Sequence, residues 1–380
     1  MATPFDPGPP RHVLPLLEAL STPATCAGFD DATWDIVIPL ARSARLLGVL
    51  AHRVTQAIDP AKLPARVSRH LQSGMLEARF RRAKTQYLLH TIAPLLAAHP
   101  GPRVLLKGAA YIAQDLPLAA GRLPADVDLM VPRTSLDAIE HTLLQAGWEY
   151  EKTDAYDQHY YRAWSHELPP LQAAGQVMEL DLHHAILPPL GRIRPDTDSL
   201  FASALPLPDS PFHVLAPIDQ VLHAVVHLAH DSDFVGRLRD LVDIDGLLRL
   251  LPLTGQPQAA ALVERARHHG MLRPLWLAAR LCQRWLNTPG CDALLRSIAA
   301  VAPQATRGAW VLPLAGRVLG PPTLDASDLR AGRAAGLLLE ARAAWLRMPP
   351  GLLAYHATSK LVRRLLRRSP GATPPPQPVR

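Results

Sequence analysis

Hydrophobic periodicity changes twice along this 380-residue chain, and that restricts its fold more than any single motif. From Val13 to about His99, apolar residues recur at three- and four-residue spacing, as one face of a helix requires. The stretch DATWDIVIPLARSARLLGVLAHRV obeys that spacing, with Asp30 or Asp31 available as its N-cap. Residues 63–99 repeat it with arginines on the polar side. Near Pro102 the pattern shortens. VLLK (104–107) is a brief apolar run with Gly108 behind it, a buried strand entering a turn and helix. DVDLMV (126–131) alternates polar and apolar with period two, as a strand does. TSLDAIEHTLLQAG (134–147) opens on a Thr or Ser cap and closes on Gly, so it predicts a helix. WEYEK, QHYYRAWSHEL and QVMELDLHHAI read as three further strands. Beyond Pro195 the helical spacing returns, with breaks near Pro252, Pro289 and Pro321–Pro322, because proline lacks the N–H that a helix interior needs.

The expected fold class is therefore α+β. An α/β core with a mixed sheet occupies residues 100–195. An N-terminal helical region (12–99) and a C-terminal helical domain (196–368) flank it. Residues 1–11 and the Pro-rich tail 369–380 read as disordered.

Composition narrows the class further. Hydrophobic residues make up 48% and charged residues 19%, enough to bury a sizeable core. No apolar run approaches the roughly 18 residues a membrane-crossing helix needs. The start has no basic stretch followed by an apolar one, so no secretory leader is expected. Three scattered cysteines, Cys26, Cys282 and Cys291, cannot frame a disulfide scaffold. A reduced, cytoplasmic protein is the expectation. The net charge of +7 is mild for this length. One concentrated basic patch exists, KLVRRLLRRS (360–369), expected as an amphipathic last helix docking on the body, with an acidic surface, RNA or anionic lipid as the alternative contact.

The chemistry lies in the α/β core. Residues i and i+2 of a strand share a face, so Asp126 and Asp128 project side by side. Two such carboxylates repel unless a cation sits between them, and a hard ion such as Mg²⁺ suits oxygen ligands. In MELDLHH, Glu179, Asp181 and His183 share one face; if that strand lies beside the first, Asp181 joins the pair. Three carboxylates around one or two Mg²⁺ ions are what two-metal phosphoryl or nucleotidyl transfer uses. Lys107-Gly108 ends a buried strand where a phosphate could approach the backbone. Arg122 could grip a phosphate oxygen.

Together these residues carry a resemblance. VLLKGAAYIAQDLPLAAGRLPADVDLMVPRTSLDAIEHTLLQAGWEY resembles the polymerase-β-type nucleotidyltransferase superfamily, in particular its uncharacterised bacterial nucleotidyltransferase family. Lys107-Gly108, Arg122, Asp126/Asp128, Gly147-Trp148 and Asp181-Leu182-His183 carry the likeness. It extends to His227, Arg239 and Asp243 in VLHAVVHLAHDSDFVGRLRDLVDIDGLL, and covers about Leu88 to Leu250. The resemblance implies that Asp126 and Asp128 bind two Mg²⁺ ions and that Asp181 completes the site beside the acceptor hydroxyl. It implies Gly108 against the nucleotide phosphates, with Lys107 and Arg122 as further nucleotide contacts. Ala109 replaces the hydroxyl residue that the wider superfamily carries after this glycine. The implied activity moves a nucleoside monophosphate from an NTP, expected to be ATP, to an unidentified acceptor with release of pyrophosphate. A binding protein without turnover and a phosphotransferase on the same site are the alternatives.

Other residues are expected in supporting roles. Glu179 reads as a solvent-exposed neighbour and His183 as a hydrogen bond at the sheet end. His223, His227 and His230 have helical spacing for zinc, yet 17 histidines make chance spacing the stronger account. Asp240, Asp243 and Asp245 with Arg237 and Arg239 read as an ion-pair network. Tyr156, Tyr160, Tyr161 and Trp164, like Trp310 and Trp345, read as core. The helices after Asp181 are expected to wall the cleft with His227, Arg239 or Asp243.

Overall fold

The computed structural model describes residues 8–355 apart from 152–154, 177, 232, 254–255 and 323–325, together with Thr358. The basic segment 360–369 and the Pro-rich tail lie outside the described residues, as does most of the N-terminal arm. Arg11 is not part of a disordered arm: it opens a 3-10 turn, Arg11–Val13, whose Val13 is fully buried.

Seven short strands form one mixed sheet: β1 (Val104–Leu105), β2 (Asp126–Met130), β3 (Trp148–Tyr150), β4 (Leu171–Ala173), β5 (Glu179–His183), β6 (Leu205–Pro206) and β7 (His213–Val214). Their order is β3-β4-β5-β2-β1-β7-β6. The central pair β2 and β5 runs parallel, while β1 meets β2 antiparallel. Val127, Leu129, Leu180 and Leu182 point into the core, so the alternate residues are left for the other face. That makes the chain an α+β protein with helices on both flanks of the sheet.

The N-terminal helices form largely where the spacing puts them. Asp30 caps Asp31–Ser43, its carboxylate accepting from the Thr33 amide at 2.8 Å. The predicted single run breaks at Arg45, which takes a left-handed φ of +57°, and resumes as Leu47–Ala57. Gly48 in that second helix lies against Gly121 so closely that a Cβ on it would fall 2.4 Å from the Gly121 carbonyl oxygen. Backbone touching backbone fixes the height of the segment that delivers Arg122. The long helix Ala65–Leu96 then lays Leu88, Ile92 and Leu96 on the core.

Four expectations are corrected. QHYYRAWSHEL is not a strand: Ala155–Trp164 is a helix, with Tyr160 and Trp164 one turn apart and in edge contact at 6.0 Å. The helix after β2 starts at Arg133, behind Pro132, without a Thr or Ser cap; Ser135 Oγ instead donates to the Pro100 carbonyl at 3.2 Å. The region after Pro195 is not helical throughout, since β6 and β7 extend the sheet, though each is too short to show a period. Finally, Trp310 and Trp345 are 50% and 46% exposed rather than core, and Trp345 instead lies under the Arg192 guanidinium at 4.0 Å. Tyr160, Tyr161 and Trp164 are half-buried.

Buried ion pairs clasp the C-terminal helices to the rest. Arg53 reaches Asp245 at 3.3 Å, and Arg122 reaches Asp243 at 2.9 Å.

Candidate active site

Parallel pairing of β2 and β5 sets Asp126 opposite Glu179 and Asp128 opposite Asp181. Residues in register on neighbouring strands share a face, so the three aspartates stand on one side of the sheet. Asp128, Asp181 and His183 form one grouping able to hold a metal, their ligand atoms all within 4.8 Å of one another. Asp126, half-buried, stands outside that group. Glu179 is tied off by Gln172 Nε2 at 3.0 Å.

The two inner aspartates have opposite surroundings. Asp128 Oδ1 accepts from both Lys107 Nζ at 3.1 Å and His183 Nε2 at 3.0 Å. Burial alone would raise its pKa, but the Lys107 ammonium and the His183 ring outweigh it and hold the carboxyl well below its usual range. Asp181 has no such partners. Its Oδ1 is buried without a donor, and burial, followed by the charge on Asp128, pushes its pKa up to about 8. His183 is disfavoured as a cation by burial; the Asp128 hydrogen bond and the Glu167 carboxylate at 3.4 Å override that and raise its pKa.

Lys107 holds a left-handed φ of +44° as it leaves β1, and Asp128 and Asp126 together keep it charged against its burial. Gly108 follows, and a Cβ there would lie 1.9 Å from Arg122 Nη1. Only glycine leaves room for that guanidinium. Arg122, expected on a phosphate, is committed: it is 6% exposed and donates from Nε to Asp243 Oδ2 at 2.9 Å. Lys107, Gly108, Arg122, Asp126 and Asp128 border a cavity of about 100 Å³ with His227, Arg239 and Asp243 facing them from the helical side. A larger cavity, about 900 Å³, shares no lining residue with it and lies between the N-terminal segment and the helices Val311–Val318 and Ala326–Arg347.

His166 and Glu167 were not singled out by sequence. Among the described residues they form the second grouping able to hold a metal, again with His183. The bridge that brings Glu167 to His183 spans two separated segments, which no local spacing reveals. His223, His227 and His230 form no such grouping, because the helix widens to a π-turn over His227–Asp231 and the regular spacing is lost. His227 faces Asp240 at 3.6 Å instead.

Residues 30–287 match the family model described as uncharacterised nucleotidyltransferase, more than half of the chain. The chain belongs to that nucleotidyltransferase family. The match contains Lys107, Gly108, Arg122, Asp126, Asp128 and Asp181, and it runs past Leu250 through the helix Leu272–Leu286. Membership makes this a nucleotidyltransferase-type α+β fold and implies an NTP substrate. Comparison with curated proteins and with solved structures gives no match. Among the described residues no helix is long and apolar enough to cross a membrane.

Proposed function

We propose that the protein transfers a nucleoside monophosphate from Mg²⁺-NTP, with ATP the expected donor, to an acceptor hydroxyl and releases pyrophosphate. The observation that carries this is the buried, donor-free Asp181 Oδ1 beside the Asp128 carboxylate. A buried carboxylate oxygen without a partner is costly unless something positive completes it, and a hard divalent cation fits this oxygen-rich set. Asp126, Asp128 and Asp181 would hold Mg²⁺. Bound there, the ion supplies charge neutralisation across the polyphosphate and Lewis acidity toward its oxygens.

The chain's own residues do the rest. Asp181 takes the proton of the acceptor hydroxyl through the carboxylate oxygen that does not hold the ion, as the hydroxyl oxygen bonds the α-phosphorus and the bond from that phosphorus to the bridging oxygen of the departing pyrophosphate breaks. With a cation beside it the Asp181 carboxyl is held ionised against its burial, as a base near neutral pH must be. Lys107 and His183 fix Asp128 through its Oδ1, so its orientation does not depend on the nucleotide. His227 and Arg239 wall the cavity and restrict water.

One observation favours a second reading, a nucleotide-binding protein without turnover. Lys107 gives Asp128 a resident cation, so binding need not require a metal. Calorimetry with a non-hydrolysable NTP analogue separates the two. Binding that requires Mg²⁺ and is weakened by Asp181→Asn supports transfer. Binding indifferent to both supports the second reading.

A further inference from the structure

The arginines around the acidic cavity are unequally engaged. Arg122 is paired with Asp243, and Arg237 meets Asp240 at 3.6 Å. Arg239, which lines the cavity, and Arg45, which lies outside its lining, converge on a single backbone acceptor instead. Arg45 Nη2 donates to the Leu123 carbonyl at 3.2 Å and Arg239 Nη1 to the same oxygen at 3.4 Å. Two guanidinium groups sharing one neutral oxygen are close neighbours of like charge. Arg239 has a carboxylate in Asp240 at 3.3 Å, but Arg237 and His227 draw on that carboxylate too. Its Nε is buried without an acceptor. Partial desolvation and the charges of Arg239 and Arg81 press the Arg45 pKa down, and Asp126 opposes them.

The backbone gives an independent sign. Arg45 ends the helix Asp31–Ser43 in a left-handed turn, φ +57°, with the Leu46 amide returning to the Ala41 carbonyl at 2.7 Å. Glycine is the usual occupant of that position, since L side chains adopt it at a cost. An arginine here keeps a strained backbone and a repelled charge beside the site.

We propose that Arg45 and Arg239 form an anion subsite for the polyphosphate tail of the nucleotide. This rests on the reading of the site as a nucleotidyltransferase centre. The planar fork of each guanidinium matches phosphate oxygens, and a polyanion would relieve the repulsion between them. The placement selects the polyphosphate over the acceptor. Leu123 adjoins Arg122, whose guanidinium covers Gly108 just past β1, whereas Asp181 stands on β5, across β2. The N-terminal helical region thereby contributes directly to nucleotide binding.

Calorimetry of the full chain with inorganic tripolyphosphate tests the subsite. Arg45→Gly and Arg239→Gln should each weaken binding about tenfold or more, the usual scale for a charge-assisted contact. Arg45→Lys should fall between wild type and Arg45→Gly. The melting temperature of Arg45→Gly should be unchanged or higher, because glycine suits the turn. Wild-type affinity in Arg45→Gly and Arg239→Gln overturns the proposal. So does a fall in melting temperature with affinity unchanged, which would make Arg45 a clamp on Leu123. The subsite and the underlying reading fail separately. If Asp181→Asn ends pyrophosphate release while Arg45→Gly binds tripolyphosphate normally, the subsite falls and the transfer reading stands. If the arginine variants lose tripolyphosphate in a protein that never releases pyrophosphate, the subsite stands and the transfer reading falls.

Discussion

Asp181 and Asp245 are the same residue type, both removed from bulk water, and their surroundings differ completely. Asp245 is fully buried, yet every side of it is answered: Arg249 Nε at 2.7 Å, Thr288 Oγ1 at 2.7 Å and Arg53 Nη2 at 3.3 Å. Asp181 sits at the sheet with one oxygen donor-free and a second carboxylate for a neighbour. A satisfied carboxylate ties helices together. An unsatisfied one stores repulsion that a ligand can release. Counting donors on each acid therefore separates a structural carboxylate from a working one more sharply than burial does.

The most severe way to break this contrast is to neutralise the working side. Asp181→Asn should lower Mg²⁺-dependent pyrophosphate release about 1,000-fold, as expected for losing a proton acceptor and a charge at the reacting centre. A variant with near wild-type rates, measured with ATP and either the acceptor or water, would remove Asp181 from the chemistry. On the structural side, Asp245→Ala should destabilise the fold by about 3–5 kcal/mol, because it strands Arg53 and Arg249 without their counter-charge. Urea unfolding monitored by circular dichroism measures it, and a loss under about 1 kcal/mol would equate the two aspartates.

Proton competition sharpens the comparison at intermediate scale. Asp181 titrates at about 8, so below that pH a proton occupies the oxygen that a cation needs. The affinity for Mn²⁺, followed by electron paramagnetic resonance, should fall as pH drops from about 8 toward 6. In Asp181→Asn that pH dependence should flatten. The smallest effect concerns stability without metal. The folded-state pKa of Asp181 lies above its usual 3.8, so the folded state binds this proton more tightly than the unfolded chain does. No penalty exists below about pH 4; it grows as pH rises to about 8 and is constant above. Asp181→Asn should therefore raise metal-free stability at pH 9 and leave it unchanged at pH 4. Asp128→Asn should do the opposite at neutral pH, since Lys107 and His183 lose their acceptor.

How much of this could be read from the chain depends on the distance over which each feature is decided. The period of two put Asp126 and Asp128 on one face of their strand, and Asp181 on one face of its own, because alternation is a local property; that the two strands pair side by side was a condition only the fold could meet. The helix Ala155–Trp164 was misread because aromatic residues favour strands in isolation, while the contact of Tyr160 with Trp164 exists only once the helix forms. β6 and β7 are two residues each, shorter than any period. No local signal announces the pair of Arg122 with Asp243, which lies 121 residues further on. Arg45 was invisible for a similar reason. Its left-handed turn splits what reads as one continuous amphipathic run.

The clasp between the flanking helices also dictates an order of events during synthesis. Arg53 and Asp245 are separated by 192 residues, and Arg122 waits 121 residues for Asp243. A ribosome translating this message exposes both arginines long before either counter-charge has been made. Until then neither guanidinium has the carboxylate that it pairs with in the folded chain, and the helix Leu238–Leu250 brings both.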